Sequence, residues 1–136
     1  MVKLYVVGFL FSEDMKRVVL IHKNKPAWQV GLLNGVGGKI EQDESPKNAI
    51  KREFEEETGL TISDWKYYAK VSGDEWCVDF FHATSKDIDS VKSITDEKVE
   101  IFNVSDINTL PVIPNLKWLI PMCFDADIEF GDVKCY

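Results

Sequence analysis

From Val2 to Phe11 the chain is apolar at nearly every position and rich in valine, tyrosine and phenylalanine, which predicts an opening strand. Gly8 inside it marks a bulge or a close approach by another element. Ser12-Glu13-Asp14 reads as a turn, and Arg17 to His22 (RVVLIH) as a second strand forming a hairpin with the first. From Lys23 to Lys39 the periodicity disappears and glycine takes over, at Gly31, Gly35, Gly37 and Gly38; a loop of that length is usually functional or mobile. A helix is expected from Ser45 to Thr58: Ser45 supplies a side-chain cap, Pro46 suits the first helical position, and Gly59 is a stop signal. Asp64 to Ser72 and Trp76 to Ala83 read as strands joined by Gly73-Asp74-Glu75, followed by a polar loop over Lys86 to Thr95 and a shorter strand from Val99 to Val104. Asn115 to Phe124 (NLKWLIPMCF) is apolar enough for a core helix, kinked or ended by Pro121, and Glu129 to Tyr136 closes the chain as an edge strand. No repeat or linker interrupts the pattern. It predicts an α+β class domain over residues 1–136, with a mixed β-sheet sandwiched between α-helices.

Length and composition agree with one soluble globular domain. The balance of 16 basic against 23 acidic residues gives a net charge of −7, so neither a broad basic surface nor binding of long nucleic acid is expected. A small phosphate ligand remains compatible with that charge if a divalent cation screens the contact. Cys77, Cys123 and Cys135 are odd in number and contain no CxxC pair, which argues against a disulfide framework or a zinc site. The apolar opening run leads into SEDMKR rather than a cleavage site and is too short to span a bilayer. A cytoplasmic protein without membrane contact is the expectation, with its oligomeric state left open.

Glu53, Glu56 and Glu57 stand at i, i+3 and i+4, so they project from one side of the expected helix. Like charges at that spacing destabilise a helix by roughly 0.2–0.5 kcal/mol per pair, which solvent or a cation must offset. Clustered carboxylates are hard oxygen ligands, suited to Mg²⁺ with Mn²⁺ as a substitute. Taken alone, such a cluster is more often a solvated acidic face.

The cluster is not alone. Gly38, Glu44, Arg52, Glu53, Phe54, Glu56, Glu57, Gly59 and Leu60 stand at the spacing of the Nudix box, and the segment GKIEQDESPKNAIKREFEEETGL resembles that motif throughout. At background frequencies of roughly 6% per residue type, its fixed identities would meet by chance with odds on the order of 10⁻⁸ in a given window. Phe54 is bulkier than the aliphatic residue commoner there. The chain is therefore identified as a member of the Nudix hydrolase superfamily, similar to its MutT-like group. The resemblance implies a Nudix fold and a Mg²⁺-dependent hydrolase acting on a phosphoanhydride bond of a nucleoside diphosphate derivative. It further implies that Glu53, Glu56 and Glu57 bind the metal, joined by the Gly38 carbonyl and by a later carboxylate, Glu97, with Glu100 as fallback. Arg52 would orient Glu53, and Glu44 would brace the loop. The general base is Glu53 or Glu97, with Glu53 favoured.

Outside the box the residues bear on the substrate. Asn34, in LNGVGGKI, resembles the base-contacting asparagine of enzymes that hydrolyse oxidised purine nucleoside triphosphates; otherwise it supports a turn. Lys23 meets phosphate or nucleobase, or is a solvated strand-end lysine, and Lys39 with Lys25 could hold a phosphorylated end. Asn115, at the last helix, would enter the base pocket, although Pro114-Asn115 stands where animal members of the oxidised-purine group carry an acidic pair. Trp28 is the stacking aromatic, Trp118 is assigned to the core, and Trp76 is open. Where ADP-ribose enzymes carry proline this chain has Asp74, and near the tyrosine of dinucleoside polyphosphate enzymes it has Trp76. These features favour a small-molecule nucleotide, a normal or oxidised nucleoside triphosphate cleaved to monophosphate and pyrophosphate. Alternatives are a dinucleoside polyphosphate, a nucleotide sugar, an RNA 5′ end, or a non-catalytic nucleotide sensor.

Overall fold

The computed structural model describes residues 1–136. Its centre is β1 (Lys3–Phe11), which is buried on both sides: Val6 and Leu10 point into one apolar cluster, Phe9 and Phe11 into another. One edge of β1 pairs in parallel with β6 (Trp76–Thr84) from Lys3↔Trp76 to Phe11↔Thr84. β6 then continues antiparallel to β5 (Lys66–Ser72), and β5 pairs in parallel with β8 (Gly131–Lys134) at the rim.

The opposite edge of β1 departs from the expected hairpin. β2 (Arg17–His22) meets β1 only at Phe11↔Val18, then pairs with β7 (Val99–Asn103) over Arg17↔Asn103 to Ile21↔Val99. The reason is that the first half of that edge is taken by β4 (Val36–Lys39), from Tyr5↔Lys39 to Gly8↔Val36. β3 (Leu33–Asn34) adds to β2, so the expected glycine loop over Lys23–Lys39 in fact contains two short strands. The glycines serve this pairing: a side chain on Gly37 would collide with the Val6 carbonyl.

Two helices cover the faces, giving the sandwich anticipated from the sequence. α1 (Pro46–Thr58) starts where Ser45 Oγ accepts from the Asn48 N–H at 3.1 Å and stops at Gly59, whose φ of 78° is left-handed. Ala49, Ile50 and Phe54 drop into the cluster with Val6, Leu10, Val36 and Phe81. Gly8 permits a close approach here, since a Cβ on it would lie 2.7 Å from Ile50. α2 (Leu116–Met122) is shorter than expected, and buries Leu116, Leu119 and Ile120 against the other face. Trp118 corrects the assignment to the core: it lies on the outer side of α2 and is exposed. No helix is long and apolar enough to cross a membrane.

Candidate active site

The box folds around Arg52. Its Nε and Nη2 donate to the two oxygens of Glu44 at 2.7 and 2.9 Å, Nη1 donates to Glu53 at 2.9 Å, and Nη2 also reaches the Lys39 carbonyl at 3.0 Å. Glu44 in turn accepts the Glu41 N–H at 3.0 Å, which ties the loop before α1 to the helix. The Arg52 bond holds the Glu44 carboxyl below the usual carboxylate range. Glu53 goes the other way. Its side chain is only 13% exposed, and burial pushes its carboxyl up despite Arg52, helped by the like charges of Glu56 and Glu57. A carboxylate easier to protonate than usual suits proton transfer.

Glu53 lies directly over Gly38. A Cβ on Gly38 would sit 2.5 Å from both Glu53 oxygens, so this position accommodates the carboxylate only because it has no side chain. Glu56 extends toward Arg52 at 3.3 Å and is otherwise 56% exposed, free to turn. Glu57 accepts from the Thr95 hydroxyl at 2.7 Å. No three carboxylates converge on a ready-made cation cage. Glu53, Glu56 and Glu57 nevertheless share one side of α1, with Glu53 and Glu56 bonded to Arg52 and Glu57 bonded to Thr95. In donor chemistry the set fits a hard dication: anionic oxygens, no thiolate, and a cradle at Gly38.

Glu97 is 5% exposed and already engaged, with Oε1 on Lys23 Nζ at 3.1 Å and Oε2 accepting the Asn24 N–H at 2.7 Å. Each of its oxygens thus carries one hydrogen bond from the protein, from Lys23 and from the Asn24 N–H. Glu100 binds His22 at 2.9 Å and Lys98 at 3.4 Å, away from the α1 carboxylates in its hydrogen bonding.

On the other side of β4 a cavity of about 670 Å³ opens. Lys23, Trp28, Asn34, Gly38 and Asn115 all line it, as do Gln29, Tyr5, Trp76 and Phe80. Lys39 does not; its side chain is exposed and its contribution is the carbonyl held by Arg52. Trp28 stands at the rim, 65% exposed. Asn34 Oδ1 accepts the Gly35 N–H at 2.8 Å, which fixes the amide and leaves Nδ2 as a donor. The amide oxygens of Asn115 and Gln29 are buried without any hydrogen-bond partner. Gly38 belongs to both regions, its backbone lining the cavity and its missing side chain accommodating Glu53.

Thr95, Asn24 and Gln29 were not singled out by sequence. Thr95 and Asn24 act through contacts to Glu57 and Glu97 that are 38 and 73 residues distant, and nothing local in TDE or KNK signals them.

Comparison with known proteins gives the lineage. The NUDIX domain family model matches residues 1–121. A Nudix hydrolase of Bacillus subtilis (strain 168), YvcI, is 32% identical over 108 residues, covering 72% of this chain and 65% of that protein. The CTP pyrophosphohydrolase of Escherichia coli (strain K12) is 35% identical over 88 residues, covering 58% and 64%. The chain thus spans just under two thirds of the length of these curated relatives. The crystal structure of the mutator MutT protein from Bacillus halodurans superposes with a TM-score of 0.76 at 23% identity, covering 98% of this chain and 90% of that one, a likeness of fold. With its box complete and its sheet and helices arranged as in MutT, the chain belongs to the Nudix hydrolase superfamily.

Proposed function

We propose that this protein is a Mg²⁺-dependent pyrophosphohydrolase that cleaves a nucleoside triphosphate, normal or oxidised, to the monophosphate and pyrophosphate. The observation that carries the reading is Gly38, which joins a nucleoside-sized cavity to the Glu53 carboxylate through one residue. The base lies in the cavity between its aromatic and aliphatic walls, with Asn34 Nδ2 donating to an acceptor on the base edge. Asn115 and Gln29 supply amides that no protein group occupies, and Trp28 stacks at the rim. The phosphates run past Gly38 toward α1. The relative from Escherichia coli, named a CTP pyrophosphohydrolase, supports a triphosphate of a single nucleoside.

Glu53, Glu56 and Glu57, with the Gly38 carbonyl, are the residues that would hold the dication, with Mn²⁺ able to substitute for Mg²⁺. When bound, it screens the polyphosphate charge and makes water acidic near neutral pH, which is how a chain of net charge −7 accepts a polyanion. Glu53 receives the proton as water attacks phosphorus in line, and the bond to the bridging anhydride oxygen breaks, releasing pyrophosphate. Arg52 keeps Glu53 in place and offsets charge among the carboxylates. Lys23 lines the cavity and is paired with Glu97 at 3.1 Å.

A panel of normal and oxidised nucleotides, incubated with Mg²⁺ and analysed for both phosphate species, tests the reading. Pyrophosphate and monophosphate in equal amounts are expected from at least one triphosphate. Release of orthophosphate alone, or turnover of dinucleotides alone, would overturn it.

A further inference from the structure

The segment between residues 92 and 97 is docked on the C-terminal end of α1. Lys92 N–H donates to the Thr58 carbonyl at 2.9 Å and Ile94 N–H to the Glu57 carbonyl at 3.2 Å. Both carbonyls belong to the last helical turn, whose oxygens have no partner within the helix. These backbone bonds set the register of the segment on the helix and bring Thr95 beside the Glu57 side chain. The Thr95 hydroxyl then makes two bonds at once: it donates to Glu57 Oε2 at 2.7 Å and accepts the Glu97 N–H at 3.3 Å. Because a hydroxyl has a single hydrogen, the bond from Glu97 N–H leaves that hydrogen to the carboxylate.

We propose that Thr95 is a positioning residue for the dication site, holding Glu57 in a fixed orientation for metal binding while tying it to the strand-entry loop that carries Glu97. The inference rests on the reading of the α1 carboxylates as metal ligands. Glu57 stands four residues after Glu53, on the same side of α1, where the like charges repel one another, and the bond from Thr95 opposes that repulsion by fixing the Glu57 carboxylate. A carboxylate has about four lone-pair sites, and one bond from Thr95 leaves the others for a cation. The same loop continues to Glu97, which binds Lys23 and the Asn24 N–H. The Thr95 hydroxyl thus adds a side-chain link to the two backbone bonds between the box helix and a loop that reaches the cavity wall through Lys23.

The experiment uses the whole chain in three forms, wild type, Thr95→Val and Thr95→Ser, with Mn²⁺ binding to the metal-stripped protein followed by electron paramagnetic resonance. Steady-state kinetics across a Mg²⁺ range and thermal unfolding in chelator accompany it. Loss of a hydrogen bond to a ligating carboxylate weakens metal binding roughly 10–100-fold, and Thr95→Val is expected near the lower end. Its kcat at limiting Mg²⁺ falls in parallel while KM for nucleotide stays put, and Thr95→Ser restores both. Thr95→Val with Mn²⁺ affinity like wild type, whether or not its unfolding temperature falls, would show the contact to be only a loop fastening and overturn the assignment. Mn²⁺ that fails to bind wild type would instead overturn the metal role of the carboxylates, and this inference with it.

Discussion

Replacing Gly38 with alanine separates function from stability in one step. The new Cβ would lie 2.5 Å from both Glu53 oxygens, whereas ordinary contact begins near 3.4 Å, so the carboxylate must withdraw by about 1 Å. The clash is with the tip of a flexible side chain rather than with backbone, and Gly38 is not in the left-handed region, so the fold tolerates the change. Catalysis does not. A displacement of about 1 Å at a reacting group reduces rate by on the order of 10²-fold, or about 2.7 kcal/mol of transition-state stabilisation. Pyrophosphate release measured at saturating Mg²⁺ should therefore fall about two orders of magnitude in kcat/KM, with the urea midpoint of the chelated protein nearly unchanged. Activity within threefold of wild type (about 0.65 kcal/mol) would refute the placement of Glu53 over Gly38 as the reactive geometry.

Glu53→Gln should stabilise the metal-free protein. Burial raises the folded-state pKa of Glu53, so the stability tied to this group is present in acid and lost as pH rises through that raised value; the variant's advantage appears near neutrality and vanishes below the unfolded pKa of about 4.3. Urea unfolding in chelator at acid and neutral pH checks this, and an advantage independent of pH would contradict it. Arg52→Met leaves Glu44 and Glu53 without their cation and is expected to destabilise by about 3 kcal/mol, the lower end for a buried pair because Arg52 itself is 25% exposed. Glu44 sits below the usual range, so its contribution is present above the unfolded pKa and lost as pH falls through the folded one; the deficit of Arg52→Met should shrink in acid in a pH series of denaturant midpoints. Asn34→Ala and Asn115→Ala should each raise KM roughly fivefold with kcat unchanged, as expected for one hydrogen bond of about 1 kcal/mol made equally in ground and transition states. A fall in kcat instead would place these amides nearer the chemistry.

What could be read from the sequence was local. Ser45-Pro46 and Gly59 bound α1 by capping chemistry that needs no tertiary partner, and the i, i+3, i+4 glutamates follow from the helix alone. β4 was hidden because Gly37 and Gly38 carry no periodic signal; they become a strand only through the ladder with Tyr5, Val6 and Val7. The hairpin of β1 and β2 forms, but only at Phe11↔Val18; the longer ladder of β2 with β7 carried no signal, since β7 lies far along the chain. Trp118 misled because the segment is mostly apolar, while only Leu116, Leu119 and Ile120 are buried and Trp118 shares the outer side with Lys117. For Lys23 the sequence leaves a ligand-facing and a solvated role equally open, and its partner Glu97 is 74 residues away. At the site, the box residues and their bracing by Glu44 and Arg52 were legible, whereas the cavity's amide Gln29 and the Thr95 link to Glu57 depend on packing between distant segments.

The claim on which the rest depends is that the carboxylates along one side of α1 perform the hydrolysis. Turnover of the preferred triphosphate with Mg²⁺, compared among wild type, Glu53→Gln and Glu56→Gln whose folding is verified by circular dichroism, tests it most directly. Each variant should lose at least about two orders of magnitude, of the size seen when a catalytic proton acceptor or charge stabiliser is removed. Rates equal to wild type in both variants would contradict the account.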